Sequence, residues 1–209
     1  MVAKRSYISV ARAEAAAEKK ERVVQVATRF LREADSITAF SLDTIAKAAD
    51  VTRLTVYNQF GSRRGLLEAV FDNIAQRGQL LRLNGAMAEA DPFRGLDLLI
   101  EIFCDFWSGD PAVARLHDAM VIDQEFAEAL LQRNERRRRM IADLVARIAG
   151  EHSTVAAKRD AVDLIFALTS CGMFRMLSGA RPVEAVCAII TDAARAAIIR
   201  ISSPSPVPS

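Results

Sequence analysis

The chain has 209 residues, of which 51% are apolar and 26% charged, a balance that supports a packed core and excludes a disordered polymer. No uninterrupted apolar run approaches the ~18–20 residues needed to span a membrane, so no membrane association is expected. The net charge of +2 is unevenly spread: residues 1–64 carry 12 basic and 7 acidic side chains, whereas the rest carry 16 and 19, which points the N-terminal third toward a nucleic acid.

Only nine glycines and six prolines occur, three of the prolines within the last six residues. So few breakers, and no alternating strand pattern, predict an all-α fold. Residues 1–15 read either as a disordered N-terminal arm or as an early extension of the first helix. From about Ala16 to Glu33 the apolar residues Val23, Val24, Ala27, Phe30 and Leu31 recur at spacings of three and four, a helix with one buried stripe. Ser41 caps a short helix to about Ala49. Asp50 and Val51 form a tight break, and Thr52 caps a second short helix to Phe60. Gly61 ends it, and Ser62 caps a longer helix over 63–83. Asp91-Pro92 opens a helix to about Trp107, and Asp110-Pro111 one to about Val121. Asp123 opens a long helix ending near Gly150, Ser153 or Thr154 one ending at Gly179, and Pro182 the last, to about Ile201. The tail, 203–209, is disordered by composition.

The informative stretch is Ser41–Phe60, SLDTIAKAADVTRLTVYNQF. Two short helices joined by a turn of about three residues form a helix-turn-helix. Leu42, Ile45, Ala46 and Ala49 face inward from the first helix, Val51 plugs the turn, and Val56 and Phe60 anchor the second helix. Arg53, Leu54, Thr55, Tyr57 and Asn58 then point outward. No acid lies between Thr52 and Gly61, as a helix pressed into a phosphate-lined groove requires.

The run Phe40–Asp72, FSLDTIAKAADVTRLTVYNQFGSRRGLLEAVFD, resembles the TetR family of regulators over roughly residues 20–75. The matching positions are Ile-Ala in the second helix, Val-Thr at the turn, Tyr then Phe in the recognition helix, and Ser-Arg before a Leu-rich fourth helix. The rest resembles the family in helix count and order. Three positions depart from the pattern. Asp50 stands where glycine is usual, Leu54 where a small residue is common, and residues 34–38 replace the usual Glu-Lys-Gly turn. The resemblance implies a three-helix DNA-binding domain at 16–64 and a helical ligand-binding and dimerisation domain at 65–202, linked by the 63–83 helix. It implies double-stranded DNA with a palindromic site as partner, a homodimer, and a small-molecule effector. Ser41, Thr52, Tyr57 and Arg63, with Arg64 as helper, would meet the DNA backbone, and Arg53, Leu54, Thr55 and Asn58 would read bases.

In the C-terminal body the last helix is apolar around most of its circumference and must be covered on several sides. In the family the last two long helices pair with their copies, which implies Leu164, Leu168, Ala193 and Ala197 at a dimer interface. Aromatic and methionine residues gather at 103–126 and 166–176. Phe103, Trp107, Phe126, Phe166 and Met173 are candidate walls of a pocket for an apolar or aromatic ligand, against the plainer reading of ordinary core. Arg133 and Arg136–Arg139 read as a solvated helix face, or as a second nucleic-acid patch. Cys104, Cys171 and Cys187 are scattered, odd in number and without a CxxC, so buried reduced thiols are expected rather than a disulfide framework or zinc site. Neither His117 nor His152 has a cluster around it for metal or catalysis. No cofactor is expected. The N-terminus lacks the apolar stretch of a signal peptide, so a cytoplasmic location is expected.

Three functions follow in order. The first is a repressor released from DNA by an apolar or aromatic ligand. The second is a DNA-bound protein whose body recruits a protein partner without sensing a small molecule. The third, a helical enzyme, finds no paired carboxylates, Ser-His or Cys-His arrangement, or phosphate loop to support it.

Overall fold

Capping residues set most of the helix starts. In the computed structural model, which describes residues 2–78, 80–150 and 153–202 (with backbone only for 2–13 and 202), all regular elements are helical. Met1, His152 and the 203–209 tail lie outside the described residues. The chain divides into two units: residues 1–74 with 111–127, and residues 75–110 with 128–209. The first unit therefore includes a segment, 111–127, that sequence alone groups with the body.

In the first unit, α1 (Val2–Glu33) begins far upstream of Ala16, the early-extension alternative for the arm. Val23, Ala27 and Leu31 on its inner stripe are fully buried. α2 (Leu42–Ala48) and α3 (Arg53–Phe60) start where expected. Ser41 accepts from the Thr44 amide and Thr52 from the Thr55 amide, each cap contributing roughly 0.5–2 kcal/mol. Asp50 takes φ 53°, the only non-glycine among the described residues at positive φ, so a short polar side chain replaces glycine in the turn. α4 (Arg63–Arg77) follows Gly61, and the Ser62 hydroxyl caps it through the Gly65 amide at 3.0 Å. Only its residues through Ile74 belong to this unit. The atypical 34–38 segment forms a 3₁₀ turn, Ile37–Ala39, capped by Ser36. α7 (Pro111–Ile122) packs on α1 and on this turn. Its Arg115 donates to the Ala34 carbonyl at 2.8 Å.

In the second unit the 63–83 helix of the sequence reading is cut short. A 3₁₀ turn, Leu80–Arg82, and a short helix, α5 (Leu83–Ala88), follow it. α6 (Pro92–Gly109) starts at its Asp-Pro signal, with Asp91 accepting from the Phe93 amide. α5 and α6 touch closely at Gly95, where an added Cβ would lie 2.6 Å from the Ala86 carbonyl oxygen. α8 (Gln124–Ala149), of which residues from Glu128 on belong here, ends at Gly150 with φ 57°. The helix expected over 154–179 is two helices, α9 (Val155–Leu168) and α10 (Cys171–Ser178), bent by 56°. The Thr169 hydroxyl turns back onto the Ile165 carbonyl at 2.9 Å, and Ser170 caps α10 through the Met173 amide. α11 (Val183–Ser202) closes the unit against α6 and α9. The core is built from Leu96, Leu99, Ile100, Ile141, Leu144, Ile165, Val186 and Ile198.

Candidate functional site

The head is built so that α3 presents one face outward. Ile45 and Val56 are fully buried, and Leu42, Ala46 and Ala49 nearly so, which fixes α2 against α3. Phe60 is half-buried, with the Lys20 ammonium 5.8 Å from its ring centroid. With the inner face spent, Thr52, Arg53, Leu54, Tyr57 and Asn58 are exposed. Leu54 is 66% and Tyr57 53% exposed, values too high for core side chains and suited to a surface that is covered by something else. Ser41 and Thr55 are half-buried. Both join hydroxyl pairs at helix starts, Ser41 with Thr44 at 2.8 Å and Thr55 with Thr52 at 2.9 Å. The amide-rich starts of α2 and α3 favour anions. Arg53 Nε lies 3.2 Å from the Asp43 carboxylate, but both side chains are more than 60% exposed, so the pair is weak and easily exchanged for another acceptor.

Arg63 is placed differently from its neighbours. Its Nε donates to the Phe40 carbonyl at 3.0 Å, its Nη1 to Asp123 at 2.9 Å and its Nη2 to the Ile37 carbonyl at 3.5 Å. It ties α4 to the 3₁₀ turn and to the residue preceding α8, with its guanidinium 5.9 Å from the Phe40 ring. All three nitrogens are thus engaged inside the head. Arg64 is the more exposed of the two, facing Glu68 and Glu125.

The candidate pocket residues are only partly gathered. Phe126 is fully buried but belongs to the first unit. Phe103, Trp107 and Phe166 come together in the second unit, and Met173 lies half-buried on α10. Phe103 and Trp107 stack with centroids 5.8 Å apart. What the sequence did not anticipate is the group at their centre. Arg137, assigned to a solvated face, is 4% exposed, with its guanidinium 4.4 Å from the Phe166 ring centroid and 5.3 Å from that of Phe103. Arg136 and Arg139 are exposed as expected. An open groove of about 670 Å³ lies elsewhere in this unit, between α8 and α9 beside Arg138, Lys158 and Asp163.

Of the expected dimer residues, Leu164 is 44% exposed, Leu168 and Ala193 are half-buried, and Ala197 is 6% exposed in a single chain. Ala197 lines a shallow groove of about 200 Å³ between α9 and α11 with Ala161 and Leu164, so its first role is intrachain packing. Cys104 and Cys171 are buried free thiols, whereas Cys187, expected to be buried, is half-buried. No group of His, Cys, Asp and Glu suited to a metal occurs among the described residues. No single described helix is long and apolar enough to cross a membrane.

Comparison with known proteins agrees with this geometry. Residues 27–70 match the family model described as "Bacterial regulatory proteins, tetR family". The chain is 30% identical over 111 residues to the HTH-type transcriptional regulator EthR of Mycolicibacterium smegmatis. That match covers 52% of this chain and about half, 51%, of the relative. Among solved structures, a TetR-family regulator from Rhodococcus sp. superposes with TM-score 0.68 at 19% identity, over 89% of this chain and all of the other. One from Streptomyces coelicolor gives 0.65 at 22% identity, over 92% of this chain and 96% of the other.

Proposed function

We propose, from the match of residues 27–70 to the TetR-family model, that the chain is a TetR-family member and a homodimeric, sequence-specific DNA-binding regulator, a repressor released from a palindromic operator by a small apolar or aromatic ligand. The observation that carries the DNA-binding part is the outer face of α3. Thr52, Arg53, Leu54, Tyr57 and Asn58 are exposed together on a helix without a single acid, directly after two capped helix starts.

In this reading Ser41 and Thr52, with the free amides of their helices, and the Tyr57 hydroxyl position the head on phosphates. Arg53 leaves Asp43 for guanine O6/N7, Asn58 faces adenine, and Leu54 and Thr55 touch thymine methyls. Arg63 acts indirectly by holding the start of α4. A two-fold dimer places two α3 helices in successive major grooves, one helical turn or a multiple apart. A ligand that binds the body better in the DNA-free arrangement shifts the population away from the operator.

The test is selection from random duplexes with purified protein, followed by affinity measurement on the winning site. A palindromic consensus is expected. Arg53→Ala should cost roughly 1–3 kcal/mol and relax one position in each half-site, whereas Tyr57→Phe should weaken binding alike on all sequences. Selection that enriches nothing above the starting pool would overturn the proposal.

A further inference from the structure

Arg137 is a buried cation with no carboxylate beside it among the described residues. It lies on α8, 4% exposed, and makes one hydrogen bond to the described residues, from Nη1 to the Thr169 carbonyl at 2.6 Å. That carbonyl, freed by the break between α9 and α10, also accepts from Trp107 Nε1 at 3.0 Å. The Arg137 Nε is buried without a partner. The charged or titratable neighbours that act on the guanidinium are Cys171 and Arg138, neither a carboxylate, and burial pushes its pKa down to about 10. Three aromatic rings surround it: Phe166 at 4.4 Å, Phe103 at 5.3 Å and Trp107 at 6.0 Å.

The end of α9 supplies about half a negative charge, and the ring faces attract a cation. Neither gives the Nε–H an acceptor. The Nε/Nη2 edge of a guanidinium has two parallel donors at the spacing of a carboxylate's two oxygens, which is why arginine grips carboxylates in pairs of bonds. Phe and Trp rings around the guanidinium match a molecule with an apolar or aromatic body and one anionic end.

We propose that Arg137 anchors the effector of this regulator, and that the effector class is an amphipathic monocarboxylate, its carboxylate on the Nε edge of Arg137 and its apolar part against Phe103, Trp107 and Phe166. This rests on the ligand-sensing reading above and narrows it to one chemistry. Because Arg137 also donates to the carbonyl of Thr169, the residue that ends α9, an anion on its free edge changes the charge balance at the end of a helix proposed for the dimer interface.

Trp107 is the only tryptophan, so its fluorescence reports the site directly. The full-length protein is titrated with phenylacetate and octanoate, each against its neutral amide, phenylacetamide and octanamide. Operator release is followed in parallel. Saturable fluorescence changes are expected with the acids, at affinities at least roughly tenfold above the amides. In Arg137→Gln and Arg137→Met the acid-to-amide ratio should fall to about one, with circular dichroism confirming the helical fold. A purely structural arginine would leave that ratio near one in the wild type, which overturns the proposal even if both variants fail to fold. So does a folded variant that keeps the acid preference. Should the amides, and not the acids, release the operator, the carboxylate proposal falls while ligand sensing stands. Should neither class bind nor release it, the carboxylate proposal falls again. Failure of a wider panel of apolar compounds would remove ligand sensing as well.

Discussion

Arg63 and Arg64 are adjacent, yet a helix sets neighbours about 100° apart, and one turns into the head while the other faces outward. Arg63→Ala removes bonds to two backbone carbonyls and leaves Asp123, whose side chain is 15% exposed, without its ion-pair partner. A loss of about 1–3 kcal/mol in urea unfolding is expected, with Arg64→Ala within roughly 0.5 kcal/mol of wild type. Equal stability of the two variants would contradict the internal role of Arg63. A second residue-scale expectation concerns Cys187. The hydrogen bond from the Cys104 thiol, helped by Thr191, lowers its pKa to about 7 and pushes that of Cys104 up. A thiol with a folded pKa below its unfolded value adds stability above the unfolded pKa, about 8.5, and that contribution fades as pH falls through 7. Iodoacetamide should therefore modify Cys187 with a midpoint near pH 7, while buried Cys104 stays protected. Peptide mass spectrometry across pH 5.5–9 separates this from a midpoint near 8.5, which would mean that the thiol pair does not form. The burial of Arg137 was within reach of the sequence. It precedes the buried Ile141 by four residues and Leu144 by seven, and so lies on the core face of α8. Reading five arginines in seven residues as one class hid that phase.

At the scale of elements, helix starts were legible and some interruptions were not. Ser41, Thr52, Asp91, Asp123 and Thr154 all cap where a short polar side chain precedes a periodic stretch. The helix-turn-helix was legible because packing inside it involves near neighbours in sequence, so apolar spacing and caps specify it without long-range information. The break between α9 and α10 was missed because neither of its residues, Thr169 and Ser170, is a glycine or proline. It is made by the Thr169 back-bond and the Ser170 cap, two hydrogen bonds that look the same in sequence as ordinary mid-helix Thr and Ser. α5, LNGAMA, has no side-chain cap and carries a glycine, so nothing separated it from loop. The aromatic cluster of Phe103, Trp107 and Phe166 was only partly legible because aromatic spacing does not reveal a cation at its centre. The turn from α3 into α4 gives the sharpest element-scale expectation. A Cβ at Gly65 would lie 2.0 Å from the Phe60 carbonyl oxygen, and backbone cannot yield as a side-chain tip can. Gly65→Ala should cost at least about 1–3 kcal/mol and weaken operator binding by moving α3. Gly85→Ala, with nothing within 4 Å, serves as the control. A stable, fully binding Gly65→Ala protein would show that the turn is looser than drawn.

For the whole molecule, the charge split and the proposed two-fold symmetry bear on the same measurement. The 1–64 segment carries the positive excess, and each head on its own would release only its share of counterions from DNA. Joining two heads through the bodies doubles that share, so oligomeric state should be readable in the salt dependence of binding. The proposed dimer would be joined through exposed side chains of α9 and α11 rather than through Ala197, which one chain already buries. Leu164 is 44% exposed, Ile189 40% and Ile199 61%. Lysine at Leu164 or Ile199 leaves the single chain's core intact and buries an unpaired charge only if a second copy covers it. Leu164→Lys and Ile199→Lys should therefore keep their helical content yet sediment as monomers at micromolar concentration, where the wild type is expected to sediment as a dimer. On the selected operator the slope of log affinity against log salt should drop to about half the wild-type value, because each bound monomer neutralises about half the phosphates. Wild-type protein sedimenting as a monomer would remove the dimer from the proposal. Variants that stay dimeric would move the interface off this face of α9 and α11.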